Sequence, residues 1–200
     1  MDSWELTGGL LEYDDNTHTY LHEGIIVPSI TQVMSLKFGG MYAAVRPEVL
    51  RASADHGTAV HKAIENWCKS QIPSDLRELK HFQVLQKRYG FEVLKNEIPI
   101  VIKEPCTAGR LDLLLRDNQG RLAIADIKTT ATFEKEYVGY QLNLYKKGYE
   151  DTYGEEIQAL YCIHVRAYGG KNFRHFKELP LSEIPYEWLK ENYAGWKNDR

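Results

Sequence analysis

Several features that mark particular classes of protein are missing from this sequence. No stretch reaches the run of about 18 apolar residues that a membrane span needs, and the N-terminus lacks a signal-peptide pattern. We therefore expect a cytoplasmic protein without a membrane partner. Internal repeats and low-complexity segments are also absent, so residues 1–200 are expected to form a single domain.

Cysteine is scarce as well. The three cysteines, Cys68, Cys106 and Cys162, are far apart and form no CxxC pair. Structural zinc sites and iron–sulfur clusters usually take four ligands, most of them cysteines, so neither kind of centre is expected. Buried, unreactive thiols are the ordinary interpretation of such residues.

An excess of positive charge is the third missing feature. The chain has 25 lysines and arginines against 28 aspartates and glutamates, which gives a net charge of −3. Phosphate contacts require local cations, not a positive total, and carboxylates gathered around a metal would also make a chain acidic. The charge therefore excludes neither a nucleic-acid-binding protein nor a metal enzyme.

What is present is a pattern typical of a mixed α/β domain. Residues 11–28 read as an N-terminal β-hairpin extension, after which Ser29 or Thr31 could cap a short helix. Hydrophobic periodicity predicts helices over 56–69, 76–89, about 136–149 and 183–196, and strands over 91–104, 108–116, 121–130, 157–167 and 171–179, the last an edge strand. The fourth of these strands should place five side chains on one face: Ile157, Ala159, Tyr161, Ile163 and Val165. The order of elements predicts a mixed central β-sheet flanked by helices.

Two strands joined by the turn DNQG bring charged residues together. Side chains alternate along a strand, so Asp126 and Lys128 share one face with Ile124. If the hairpin closes around 117–120, the numbers of paired residues sum to 237 or 238, and Asp112 lies opposite or beside Asp126. Two carboxylates in that position repel, and bound Mg²⁺ or Mn²⁺ would relieve the repulsion. An adjacent lysine could stabilise the charge that grows on a phosphate during hydrolysis.

Two helices carry polar pairs at helical spacing. His61 and Glu65 are four residues apart at the edge of an apolar stripe, where a histidine could bind a metal. Gln141 and Tyr145 are also four apart, and an amide with a phenol on one face could bind phosphate or a base edge.

Each of these pieces has an ordinary alternative when it is taken alone. A DxK sequence is commonly a solvated strand face, and Asp112 could cap a turn or pair with Arg110 or Lys128. His61 alone would more often be a hydrogen-bonded core histidine, and a QxxxY pair is more often part of an amphipathic helix. The joint order, from the histidine helix through the GxxD strand and the DxK strand to the QxxxY helix, favours one shared site.

That ordered set resembles the PD-(D/E)XK nuclease superfamily and, within it, the RecB-like, phage-type exonuclease branch. The matching motifs are GTAVH at 57–61, GRLD at 109–112, DIK at 126–128 and QLNLY at 141–145. Residues 18–34 also resemble the lead-in of small phage-type members, so the resemblance covers most of 18–149. It implies a restriction-endonuclease-like core and a single nuclease domain.

The resemblance also implies a metal site. His61, Asp112 and Asp126 would hold Mg²⁺ or Mn²⁺, with the backbone carbonyl of Ile127 as a further ligand. Glu65 matches a helical acid that would act in catalysis by reaching a second metal or its water. Relatives that carry an iron–sulfur cluster use four cysteines, which this chain lacks, so no cluster is expected.

The remaining motif residues would act on the substrate. Lys128 would be the catalytic lysine, and Gln141 and Tyr145 would bind the nucleic-acid strand near the cut. Glu97 precedes IPI in the strand before the hairpin, where an acid is common in this branch, and it receives no role. Four basic residues are expected to extend a phosphate track: Lys146, Lys147, Arg174 and Lys177.

The expected activity is metal-dependent hydrolysis of DNA by an exonuclease that acts on single- or double-stranded ends in recombination, repair or phage DNA processing. A structure-specific endonuclease or junction resolvase is the alternative on the same scaffold. A non-catalytic nucleic-acid-binding protein with a vestigial site is the alternative of another class. No GxxxxGK[ST] sequence occurs, so any unwinding would come from a partner, for which recombination or replication proteins or a second copy of the chain are candidates.

Overall fold

The protein is described by a computed structural model over residues 1–198, so positions 199 and 200 of the predicted domain lie outside the described residues. The strands are β1 Asp2–Leu6, β2 Gly9–Asp14, β3 Thr19–His22, β4 Ile25–Val27, β5 Glu92–Ile102, β6 Thr107–Arg116, β7 Leu122–Lys128, β8 Ala159–Arg166 and β9 Phe173–Leu179. The helices are α1 Ile30–Phe38, α2 Pro47–Ser70, α3 Arg77–Tyr89, α4 Lys135–Tyr153 and α5 Ile184–Asn198. None of the described helices is both long and apolar enough to cross a membrane.

The centre of the fold is a five-stranded sheet in the order β5-β6-β7-β8-β9. Strands β7 and β8 run parallel, and the other neighbours are antiparallel. Apolar side chains of α1, α4 and α5 bury one face of this sheet, and those of α2 and α3 bury the other. The prediction of a mixed central sheet flanked by helices is confirmed, and β9 is the edge strand that was expected.

The predicted N-terminal hairpin is wrong in extent. The structure has a four-stranded antiparallel meander, β1-β2-β3-β4, that starts at Asp2 rather than near residue 11. Strand β1 is only five residues long and mostly exposed, so its single alternating pair, Trp4 and Leu6, is too short a pattern to predict a strand. Leu11, Tyr20 and Val27 pack this sheet onto Val101 and Ala108 of the central sheet.

Local sequence signals predicted some helix ends correctly and missed others. The Ser29 side chain caps α1 in a capping box with Gln32, and Gly90 ends α3 in the left-handed conformation, both as expected. Helix α2 begins at Pro47, nine residues before its predicted start. The prediction missed these turns because their apolar residues, Val49 and Leu50, are exposed and are followed by no buried apolar residue before Val60. Helix α4 runs to Tyr153 instead of 149 and ends at Gly154.

Two further expectations about burial need correction. Ile157 precedes β8 and packs against α4, so it does not share the face of Ala159 and Ile163. Only one of the three cysteines, Cys162, is fully buried, while Cys68 and Cys106 are half-buried. All three are free thiols, and burial raises the pKa of each of them, as expected for unreactive thiols.

Candidate active site

The candidate site forms where strands β6 and β7 part. Their ladder runs from Arg116 opposite Leu122 to Leu113 opposite Ala125, which confirms a register sum of 238. It stops one residue short of Asp112 and Asp126. Beyond this point the backbone of Ile127 bonds to side chains instead: its N–H donates to Asp112 Oδ2 at 2.7 Å, and its carbonyl accepts from His61 Nε2 at 3.0 Å. These two bonds satisfy polar backbone groups that the ladder leaves unpaired.

Three possible metal ligands converge at this opening. One ligand atom each from His61, Glu97 and Asp112 lie within 4.8 Å of one another. His61 comes from α2, which covers one face of the sheet, and it meets Asp112 where the β6–β7 ladder stops. Because His61 Nε2 bonds to the Ile127 carbonyl, Nδ1, 3.6 Å from Asp112 Oδ1, is the nitrogen left for a metal.

Glu97 is the member that the sequence left without a role. Its φ of 50° is unusual for a strand residue, and the β5–β6 ladder is interrupted at Glu97 and Asp112 between its flanking pairs. Leu111 packs toward α4 but Leu113 packs toward α2, although two residues apart on a regular strand share a face. This irregularity brings the carboxylates of Glu97 and Asp112 together, and it cannot be predicted from the hydrophobic pattern of the sequence. The acid before IPI was the one available signal.

A second group of polar residues is buried beside the first. Lys128 Nζ lies 2.9 Å from Oδ2 and 3.1 Å from Oδ1 of Asp126, and it also donates to Gln141 Oε1 at 2.8 Å. Gln141 Nε2 in turn donates to the Tyr145 hydroxyl at 2.9 Å. The prediction that Asp126 and Lys128 share a face is therefore confirmed.

Gln141 and Tyr145 line the cleft beside Lys128. Both are buried, with 5% and 6% of their surface exposed; Gln141 bonds to Lys128, and Tyr145 bonds to Gln141. Gln141 therefore fixes the position of the ammonium group, and the expected contact of both residues with a nucleic-acid strand stays a prediction.

The pKa values of both members of the buried pair are raised. Burial raises the pKa of Asp126 against the pull of Lys128, and the nearby charge of Asp112 raises it further. Burial opposes the charge of Lys128, but Asp126 and Asp112 hold its pKa above the ordinary value. Oδ2 of Asp126 forms the ion pair with Lys128 at 2.9 Å and accepts no geometrically regular hydrogen bond within the described residues.

Glu97 links the cluster to the N-terminal sheet. Arg110 Nε lies 2.9 Å from Glu97 Oε2, and Arg110 Nη1 lies 3.6 Å from Asp2 in β1. The Arg110 guanidinium also lies over the ring of Tyr13 in β2. Burial raises the pKa of Glu97, as does the charge of Asp112, while Arg110 opposes the shift.

The raised pKa of Glu97 predicts a particular pH dependence of stability. Unfolded glutamate titrates near about 4.3, and the folded value is higher, so between the two the native state holds more protons and its stability falls as pH rises. Glu97→Gln should remove this contribution, so in EDTA the variant should gain stability relative to the wild type as pH rises through that window. Denaturant unfolding of both proteins from about pH 4 to 7 measures the difference. If the difference in the free energy of unfolding between the two proteins stays constant across this pH range, the pKa of Glu97 is not raised in the folded state.

Several predicted residues lie outside the cluster. Glu65 faces the same cleft, but its carboxylate binds Lys62 at 2.8 Å and Lys69 at 2.5 Å instead of joining the three ligands. The predicted phosphate track is also not formed as expected. Lys146 and Lys147 pair with Glu150 and Asp151 on α4, Lys177 lies over the Phe133 ring, and neither they nor Arg174 line the cleft.

Two motif glycines make room for this arrangement. A Cβ on Gly57 would lie 3.2 Å from Thr129 Oγ1, so glycine lets α2 approach the end of β7 and carry His61 there. A Cβ on Gly109 would lie 3.2 Å from Ile30 and 3.3 Å from the Tyr145 ring. A Cβ at either position would force these neighbouring side chains to shift by a few tenths of an ångström.

The site lies in a large cleft. Its volume is ≈ 1680 Å³, above the roughly 300–1,000 Å³ typical of small-molecule pockets. Helix α2 lines the cleft along its length, and Trp4 and Tyr13 of the N-terminal sheet lie on it as well. A second cleft shares Ser3, Trp4, Lys69 and Glu97 with the first, so open space continues past the cluster. These dimensions suit a polymer better than a small molecule.

Comparison with known proteins assigns no family to this chain. No protein-family model matches it, and no curated protein matches it. Among solved structures, the crystal structure of SSO0001 is similar, with a TM-score of 0.45 and 15% sequence identity over 84% of this chain and 75% of that one.

Proposed function

We propose that this protein is a metal-dependent deoxyribonuclease of the PD-(D/E)XK superfamily, with a restriction-endonuclease-like core and a RecB-like active site. The observation that carries the proposal is the convergence of His61, Glu97 and Asp112 beside the buried pair of Asp126 and Lys128. The motif order of the sequence supports the family. A cytoplasmic location agrees with the proposal.

The donor set fits a divalent cation of the Mg²⁺ or Mn²⁺ type. Carboxylates suit both ions, and the imidazole of His61 favours Mn²⁺. Glu97 and Asp112 would hold the ion with His61, and Asp126, whose carboxylate is paired with Lys128, would supply the further oxygen that the motif predicts. The backbone carbonyl of Ile127 was expected to be a further metal ligand. In the structure this oxygen accepts a hydrogen bond from His61, which uses one of its two lone pairs. When bound, such an ion lowers the pKa of a water and polarises a phosphate.

The protein's own residues supply position and charge. Lys128 holds an ammonium group at the cleft, where it would stabilise negative charge growing on a phosphate. Asp126 keeps this group charged, and Gln141 fixes its direction at 2.8 Å, supported by Tyr145. Ile127 orients His61 through its carbonyl. Glu65 pairs with Lys62 and Lys69, and its predicted role toward a second metal or its water stays a prediction.

Gln141 should act on the rate and not on substrate binding. Gln141→Leu removes the acceptor from Lys128, and a hydrogen bond to a charged group is worth about 1.5–3 kcal/mol, so kcat should fall about 10- to 100-fold with KM and Mn²⁺ affinity unchanged. Asn143→Leu is the matched control, because Asn143 is an amide of 6% exposure on the same helix whose bonds run to Gly139 and Pro180. A rise in KM with unchanged kcat for Gln141→Leu would instead support the predicted contact of Gln141 with the nucleic-acid strand.

The proposal is tested by digestion of end-labelled linear DNA beside a circular control, in Mg²⁺, in Mn²⁺ and in EDTA. We propose an exonuclease, so mononucleotides or short products should form from ends while the circle survives. The cleft that continues past the cluster favours the endonuclease alternative, because it lets a strand run on both sides of a cut. Cleavage of the circle would select that alternative. Binding without cleavage in either metal would select a non-catalytic protein.

A further inference from the structure

An exposed apolar surface forms one wall of the cleft. This wall, which we call the apolar wall, consists of Met41, Tyr42, Val45, Val49 and Leu50, between α1 and the first turns of α2. The last four of these side chains are 37% to 41% exposed, and all five line the same cleft, whereas other exposed apolar side chains such as Ile25 and Leu181 lie outside it. Apolar side chains that gather on one exposed surface usually mark a binding site.

Helix α2 connects the apolar wall directly to the ligand cluster. Its cleft-facing residues recur every three or four positions, from Val49 and Leu50 through Ser53, Ala54, Gly57 and Thr58 to His61. At 1.5 Å per residue, Val49 lies about 18 Å from His61 along the helix. That distance spans about five stacked nucleotides at 3.4 Å each. The small residues between the two ends leave the path open.

The charges of the cleft oppose binding through phosphates alone. Five lysines and arginines line it against six aspartates and glutamates. Each of the five is already engaged: Lys62 and Lys69 with Glu65, Arg110 with Glu97, Lys128 with Asp126, and Arg166 with the Thr129 carbonyl. A duplex hides its bases and is bound largely through cations on phosphates, which this cleft does not offer.

Resting on the proposed function, we propose that the substrate is an unpaired nucleic-acid strand whose bases stack on the apolar wall as the strand approaches the cluster. Unpaired bases expose apolar faces, and aromatic and aliphatic side chains bind them without regard to sequence. Tyr42 is the aromatic residue of the wall and the main stacking position. The phosphates then need few cations, in agreement with the charge of the cleft.

The test is the anisotropy of a labelled oligothymidylate of about twelve nucleotides, measured in EDTA so that no cleavage occurs. The wild type should bind this strand at least about tenfold tighter than a duplex of equal length. Tyr42→Ala should weaken binding about fivefold or more, Tyr42→Phe should not, and Leu50→Ala should weaken it by a smaller factor. Leu181→Ala is the matched control, because Leu181 is 49% exposed but lies outside the cleft. Thermal melts establish that each variant is folded.

Equal affinity for duplex and single strand would overturn the proposal. So would an unchanged affinity of both Tyr42→Ala and Leu50→Ala for the single strand. Absence of any binding of the single strand by the wild type would overturn it as well. These outcomes are independent of the nuclease assay. Binding in EDTA with the expected variant pattern, but no cleavage in Mn²⁺, would reject the nuclease function alone. Cleavage in Mn²⁺ with unaltered binding by the wall variants would reject the stacking site alone.

Discussion

Replacing Lys128 by methionine should lower kcat by about 10²–10³-fold, the loss typical when one charge-stabilising donor is removed from an active site. The variant should also unfold more easily, because Asp126, only 2% exposed, loses its partner at 2.9 Å. Breaking a buried ion pair from one side costs about 3–5 kcal/mol. Activity at saturating substrate and urea unfolding in EDTA measure the two effects separately.

Two controls separate the causes in this experiment. Lys146→Met removes a lysine of similar exposure, 19% against 17%, from an ion pair on α4 and should leave activity intact. In Lys128→Met, Asp126 is left as a buried carboxylate with a raised pKa, so the lost stability should return as pH falls and Asp126 takes up a proton. Adding Asp126→Asn should restore stability at neutral pH without restoring activity. Normal kcat in Lys128→Met would remove the lysine from the mechanism.

Replacing Asp112 by asparagine should abolish the response of the protein to metal. A cation at a hundredfold excess over its Kd stabilises the folded state by about 2.7 kcal/mol, which corresponds to a rise in Tm of about 5–11 °C for a chain of this size. The wild type should show this rise in Mn²⁺, and Asp112→Asn should show little of it. Thermal melts in EDTA and in excess Mn²⁺ measure both.

The same substitution should stabilise the metal-free protein slightly. In the wild type the Ile127 N–H donates to Asp112 at 2.7 Å, and asparagine keeps an oxygen that can accept this bond. The substitution also removes the repulsion of Asp112 with Glu97 and Asp126, which is worth about 0.2–1 kcal/mol. Asp151→Asn is the control, because Asp151 is equally shielded, at 14% against 13% exposure, and also accepts from a backbone N–H. A normal metal response in Asp112→Asn, or a clearly lower Tm in EDTA, would show that these carboxylates do not share a site.

Local chemistry in the sequence determined much of the framework. Turn residues at 117–120 set the register of β6 and β7, and alternation along β7 placed Asp126 and Lys128 on one face. Ser29 and Gly90 marked helix ends through capping. These features depend on residues close together in the chain, so periodicity and turn chemistry were enough to predict them.

The tertiary structure alone decided which polar groups meet. Glu97 joins His61 and Asp112 because two strands are irregular at the same level and the β6–β7 ladder ends there, neither of which leaves a periodic trace in the sequence. Gln141 and Tyr145 were recognised as a pair, but the contact of Gln141 with Lys128 depends on how α4 packs across the sheet. The motif spacing therefore indicated that His61, Asp112, Asp126 and Lys128 lie near one another, whereas the membership of Glu97 and the partner of each side chain were determined by long-range packing.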